Sequence, residues 1–128
     1  MQRVLIFMIS NNEQYVGLWQ PHHDDYWHTV VIEPGARADG QIFTAVETLL
    51  SLHHLPLKSI THIGVMPGPA SYTQLRIYVA TANALAWALH LPLFAVPTGS
   101  SLPEDIPSLL TSAKRDVPIE PIYPSIID

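Results

Sequence analysis

Five residues of metal-ligand type stand close together in the chain: His22, His23, Asp24, Asp25 and His28. Imidazole and carboxylate both bind zinc and iron. Their spacing matches no helical metal motif such as HExxH, however, and QPHHDDYW (20–27) reads as a polar loop between two strands. His53, His54 and His62 read as helix-end and strand-edge residues, so no metal site is expected. A second candidate is the turn that starts at Gly68 and runs through Ala70 to Ser71 into an apolar stretch. Free amides and a helix dipole could hold an anion there. No lysine lies within reach by sequence, and a capped helix that binds nothing accounts for the same residues. The adjacent pairs Asp24-Asp25 and Glu104-Asp105 point apart on most backbones. Ser71 lacks the Gly-x-Ser-x-Gly elbow of a nucleophile. No catalytic apparatus is expected on this chain.

Recognition is the chemistry better supported. Arg76 is the only Lys, Arg, Asp or Glu between Ile60 and Pro103, and its guanidinium could take a partner's carboxylate in bidentate fashion. It sits in SYTQLRIYVATANALAWALHL, residues 71–91. Ser71 followed three residues later by Gln74 is a capping box that opens a helix, and Leu91-Pro92 closes it. At about 100° per residue, Leu75, Tyr78, Ala82, Leu85, Ala86 and Leu89 share the core face. Thr73, Arg76, Ala80, Asn83, Ala84 and Trp87 share the other. A solvent face should carry several charges; this one carries one arginine, small residues and a tryptophan, which suits another protein better than water.

Composition agrees. Charged residues make up 13% of the 128 residues, about half the usual share, so part of the surface is expected to be covered. The net charge of −5 with scattered Lys and Arg shows no basic footprint for nucleic acid. The chain has no cysteine, which excludes disulfides and thiolate metal sites and fits the cytoplasm. The charge-free run Ile77–Val96 is long enough to raise a membrane span. Asn83, His90, Pro92 and six alanines within it argue against insertion.

These features need a scaffold. Val4–Ile9 reads as a strand buried on both faces, Tyr15–Trp19 and Thr29–Ile32 as two more, together an antiparallel meander. Asp39 caps a helix to about His53, with Ile42, Phe43, Val46, Leu49, Leu50 and His53 inward. Its other face, Thr44, Thr48, Ser51 and Leu52, carries a single Glu47. Ile60–Val65 is a fourth strand and Leu93–Val96 a fifth. Beyond it prolines recur; a short helix from Pro107 to Lys114 and an extended Ile119–Tyr123 are expected, and no internal repeat is visible. The pattern is α/β, βββαβαβ, with a mixed five-stranded sheet and two main helices.

The stretch from Gly68 to Val96 resembles the signature of the TsaB (YeaZ) family, Gly-Pro-Gly-Ser-Phe-Thr-Gly-Leu-Arg-Ile-Gly followed by an alanine-rich helix and a Leu-Pro-Leu strand. Here it reads Gly68, Pro69, Ala70, Ser71, Tyr72, Thr73, Gln74, Leu75, Arg76, Ile77, Tyr78, then VATANALAWALHLPLFAV. The resemblance covers about residues 3–97. It implies a ribonuclease-H/actin-like (ASKHA) lobe over residues 1–97. It casts the Pro-rich tail 98–128 as the remnant of a second lobe, its PIEPIYPSIID similar to the family's C-terminal Pro-Leu-Tyr-Leu-Arg. It also implies a non-catalytic scaffold for a TsaD-type subunit in the synthesis of N6-threonylcarbamoyladenosine (t6A) in tRNA. ATP and metal would lie in the partner, the TsaE ATPase would be a further partner, and tRNA would be met only through the complex. Without a partner the chain would form a two-fold homodimer. The contact positions are Thr44, Thr48 and Ser51 from the first helix, and Tyr72, Arg76, Ala80, Asn83 and Trp87 from the second. The departures matter too. Met8, Ile9 and Ser10 stand where the superfamily's acidic phosphate loop would be, which disfavours the rival reading of a degenerate actin-like ATPase, while the missing ligand spacing disfavours the other rival, a metallohydrolase. Ala70, Gln74 and Tyr78 replace signature glycines.

Overall fold

A computed structural model of the chain describes residues 1–10, 13–22, 26–32, 38–68 and 72–121. Five strands form one sheet: β1 Val4–Ser10, β2 Glu13–Trp19, β3 Trp27–Ile32, β4 His62–Val65 and β5 Leu93–Ala95. Their order is β3-β2-β1-β4-β5. The meander is antiparallel, while β1, β4 and β5 run parallel. β1 is central, and Val4, Leu5, Ile6 and Phe7 are fully buried, as an unbroken apolar run requires.

Side chains alternate between two cores. Leu5, Phe7, Val16, Leu18, Ile63 and Val65 face the two main helices, α1 (Ala38–Leu52) and α2 (Tyr72–Leu89). Val4, Ile6, Met8, Trp19, Phe94 and Val96 point the other way. That second face is covered by residues expected to be a tail. Ile106 is fully buried against it, with Leu102, Leu109, Leu110 and Ala113 around it, on and beside the short helix α3 (Ile106–Leu109) and a 3-10 turn, Leu110–Ser112. Two strand glycines permit close packing here. A Cβ on Gly17 would lie 2.5 Å from the Trp27 ring, and one on Gly64 would lie 2.5 Å from Phe94.

Helix phase departs from expectation in places. Ile42, Ala45, Val46, Leu49 and Leu50 form the inner stripe of α1, while Phe43 is 50% exposed. Spacings of three and four from Ile42 select Ala45 and Val46 and leave Phe43 on the flank. His53 is half-buried at the rim rather than in the core. In α2, Tyr78, Val79, Ala82 and Ala86 are buried, so Val79 joins the predicted stripe.

Both helices end the same way. His54 and His90 adopt φ of 55°. Leu55 N–H donates to Leu50 O at 2.9 Å and Leu91 N–H to Ala86 O at 2.8 Å, with His54 and His90 donating to Ser51 O and Trp87 O. These are Schellman closures in which histidine occupies the left-handed position that glycine usually takes. The sequence marks them with a repeated tetrapeptide, HLPL at 54–57 and 90–93. The left-handed histidine turns the chain, the first leucine packs back on the core, and the proline bars another helical turn. The chain thus does contain one short internal repeat.

Candidate protein-docking face

α1 and α2 lie on the same face of the sheet and contact each other, so their outward faces look the same way. On α1 the exposed residues are Phe43, Thr44, Glu47, Thr48, Ser51 and Leu52, with Leu52 57% exposed. On α2 they are Arg76, Ala80, Ala84, Trp87 and Ala88, and Trp87 is 73% exposed. Among the described side chains of both helices this surface carries one carboxylate and one guanidinium. Among the described residues no hydrogen bond or ion pair engages Arg76. Large aromatics left this open are uncommon on a water-facing helix and are enriched in interfaces.

The structure brings Thr44, Thr48, Ser51, Arg76, Ala80 and Trp87 to this surface. The side chain of Tyr72 lies outside the described residues. Asn83 is placed differently: it is half-buried, and its side-chain amide is used within the chain. Nδ2 donates to Val79 O at 2.9 Å and to Ile119 O at 2.8 Å, while Oδ1 accepts from Ile119 N–H at 2.9 Å. The segment carrying Ile119 starts at Lys114, which exchanges two backbone bonds with Leu93 at the outer edge of β5. Arg115 Nε donates to His90 O at 3.0 Å. No apolar periodicity announces this contact; the one hint is an asparagine in mid-helix, a residue that favours backbone partners.

Sequence reasoning did not find a polar chain at the end of α1. Arg3 Nε can only donate, so Gln20 Oε1 accepts from it at 3.2 Å. Gln20 Nε2 therefore donates to His53 Nδ1 at 3.3 Å, which leaves the His53 proton on Nε2, donating to His28 Nδ1 at 2.9 Å. His28 is thus engaged with α1, 25 positions along the chain. His23, Asp24 and Asp25 lie outside the described residues, and among the described residues no cluster of three metal-ligand side chains occurs. His62, at the head of β4, accepts or donates with Thr61 Oγ1 at 2.8 Å. Its burial, and secondarily the Arg115 charge, holds its pKa below the ordinary histidine value.

At the anion candidate, Gly68 is buried with φ of 125°, a conformation suited to glycine. Its carbonyl accepts from Thr98 Oγ1 at 2.8 Å. Ala70 and Ser71, and with Ser71 the expected capping box, lie outside the described residues. Tyr78, in place of a signature glycine, is fully buried; it packs edge-on to Phe7 at 6.3 Å, and among the described residues its hydroxyl has no hydrogen-bond partner. Burial pushes that phenol's pKa well above its usual value. No helix among the described residues is long and apolar enough to cross a membrane.

Comparison with known proteins agrees with this picture. A family profile described as TsaD, tRNA N6-adenosine threonylcarbamoyltransferase, matches residues 38–115, well over half of the chain. A Bacillus subtilis protein named tRNA threonylcarbamoyladenosine biosynthesis protein TsaB is 40% identical over 58 residues, 45% of this chain and 25% of that protein. Two solved structures, YeaZ from Pseudomonas aeruginosa and a protein described as similar to peptidase YeaZ from the same organism, each superpose with a TM-score of 0.66. Each is 24% identical and covers 76% of this chain and 44% of its own. The matched part therefore spans less than half the length of these relatives. The fold is the expected α/β lobe with a mixed five-stranded sheet, and it is shared with these YeaZ structures.

Proposed function

Because the chain belongs to the TsaD family, as a TsaB (YeaZ)-type member, we propose that it serves t6A synthesis as a non-catalytic scaffold. It docks the outward faces of α1 and α2 against a TsaD-type subunit as a helix bundle and helps hold that subunit in its active arrangement. The observation that carries this reading is the almost uncharged double-helix surface with Trp87 open on it. Aromatic and arginine side chains dominate the binding energy of such faces. Arg76 supplies the fork for a partner carboxylate, and Thr44, Thr48, Ser51, Tyr72, Ala80 and Trp87 supply close-packed contact. Met8 and Ile9 stand where the resemblance places the superfamily's acidic phosphate loop, which supports a reading with ATP and metal in the partner subunit. TsaE and tRNA are reached through that complex, in the cytoplasm. Without the partner the same surface pairs with a second copy.

Co-expression with the TsaD-type protein of the same organism, followed by gel filtration, tests the reading. Co-elution as one species is expected, and two separate species would overturn it. Arg76→Glu should weaken the complex at least tenfold, since a like charge replaces the ion pair. It should leave thermal stability within about 0.5 kcal/mol, as for other exposed sites.

A further inference from the structure

We propose that residues 117–121 form a displaceable strap across α2, which covers the Asn83 position of the docking face until a partner helix takes its place. The proposal rests on the docking reading above and adds a control to it.

The strap is attached unevenly. At its root, Lys114 is stitched to Leu93 by two backbone bonds and Arg115 is tied to the carbonyl of His90. Asp116 then takes a left-handed turn, φ 60°. Beyond that turn, the hydrogen bonds among the described residues that hold the segment both come from one side chain, Asn83. The root belongs to the sheet, while the far part is held by one amide and by the half-buried Ile119 side chain packed against the helix-side core.

The cover is also poorly filled. Between strap and helix runs an apolar groove of about 400 Å³, walled by Ala84, Ala86, Trp87, Leu91, Val117 and Pro118. Protein interiors pack to the density of organic crystals, and a segment built as permanent cover would drive side chains into that space. Val117 instead is 51% exposed, and Trp87 remains the most open large side chain among the described residues of either helix. Apart from the half-buried Ile119 side chain, little dispersion or buried area is lost when the segment lifts.

Position completes the case. Asn83 lies between Ala80 and Trp87 on the face that begins at Arg76, so a helix laid along α2 meets Ile119 in its path. The occupant that fits is a partner helix with small and apolar residues for the groove and a carboxylate for Arg76. When the strap leaves, Asn83 keeps its bond to Val79 O, and its freed groups face the incoming helix. A binding face closed part of the time shows an affinity reduced by its open fraction.

The test uses the full chain and the TsaD-type subunit. Asn83→Ala removes the clamp from the helix side. Ile119→Pro removes the N–H that Asn83 Oδ1 accepts and leaves α2 untouched. Each should tighten the complex by about tenfold, and in the wild-type complex the Ile119 amide should lose hydrogen-exchange protection while Leu93 and Lys114 keep theirs. If both variants bind no more tightly and the Ile119 amide stays protected in the complex, the strap is part of the interface and the proposal is overturned. If no variant, wild type included, forms a complex, the docking reading itself falls and the strap has nothing to control.

Discussion

Replacing Gly64 by alanine should destabilise the protein, and the loss should be recoverable by trimming a neighbour. A Cβ on Gly64 would stand 2.5, 2.8 and 3.1 Å from Cζ, Cε2 and Cε1 of Phe94. An ordinary contact is about 3.4–4 Å, so the ring must retreat by about 1 Å. Phe94 is 1% exposed and packed among Val4, Ile6, Val96 and Ile106, which leaves it nowhere to go. Overpacking of this kind costs about 1–3 kcal/mol. The lower chain entropy of unfolded alanine returns roughly 0.5–1 kcal/mol. The net loss is then about 0–2.5 kcal/mol, centred near 1, against the roughly 5–15 kcal/mol by which a domain is held folded. Phe94→Leu alone should lose roughly 1–2 kcal/mol by leaving space. Together the two changes should lose less than their sum, with a coupling of about 1 kcal/mol. Urea unfolding followed by far-ultraviolet circular dichroism gives the four free energies, and the slopes should match across the set. Strictly additive losses would show that the glycine is not there to admit the ring.

Other expectations are read the same way. Tyr78→Phe removes a buried hydroxyl without a partner among the described residues and should leave stability unchanged or raise it by up to about 1 kcal/mol; a loss larger than that, by urea titration, would mean the hydroxyl is bonded. His54→Gly and His90→Gly relieve left-handed backbone and should each add about 0.5–1 kcal/mol, visible as a higher Tm. His62 is held neutral in the folded chain by burial. The unfolded chain therefore takes up its proton first as pH falls below about 6.5. Stability should decline from there toward the lowered folded value, and His62→Gln should flatten that part of the curve. A profile identical to wild type would remove His62 from the account.

What could be read in the sequence was what rests on local pattern. The apolar run Val4–Ile9 specified a central strand because burial on both faces needs no alternation. The inner stripes of α1 and α2 followed from helical spacing, and the shortage of charge on their outer faces survived folding intact. Pairings across long chain separation were not legible. His28 meets His53, and Asn83 meets Ile119, through sheet and strap geometry that no local pattern encodes. The prolines between Pro103 and Pro121 mask the apolar positions Leu102, Ile106, Leu109 and Leu110, whose spacing follows turns rather than a helix. Phe43 misled because size and apolarity suggest an inward residue, whereas Ala45 fits closer between helix and sheet.

The apolar underside of the sheet fixes where this polypeptide can be cut or joined to another. Severed after Val96, a fragment would present Val4, Ile6, Met8 and Phe94 bare to solvent and should precipitate. Severed after Asp116 instead, it would retain its own lining and the Lys114 bridge to Leu93, and a fusion partner could be grafted at that point with the underside of the sheet still covered.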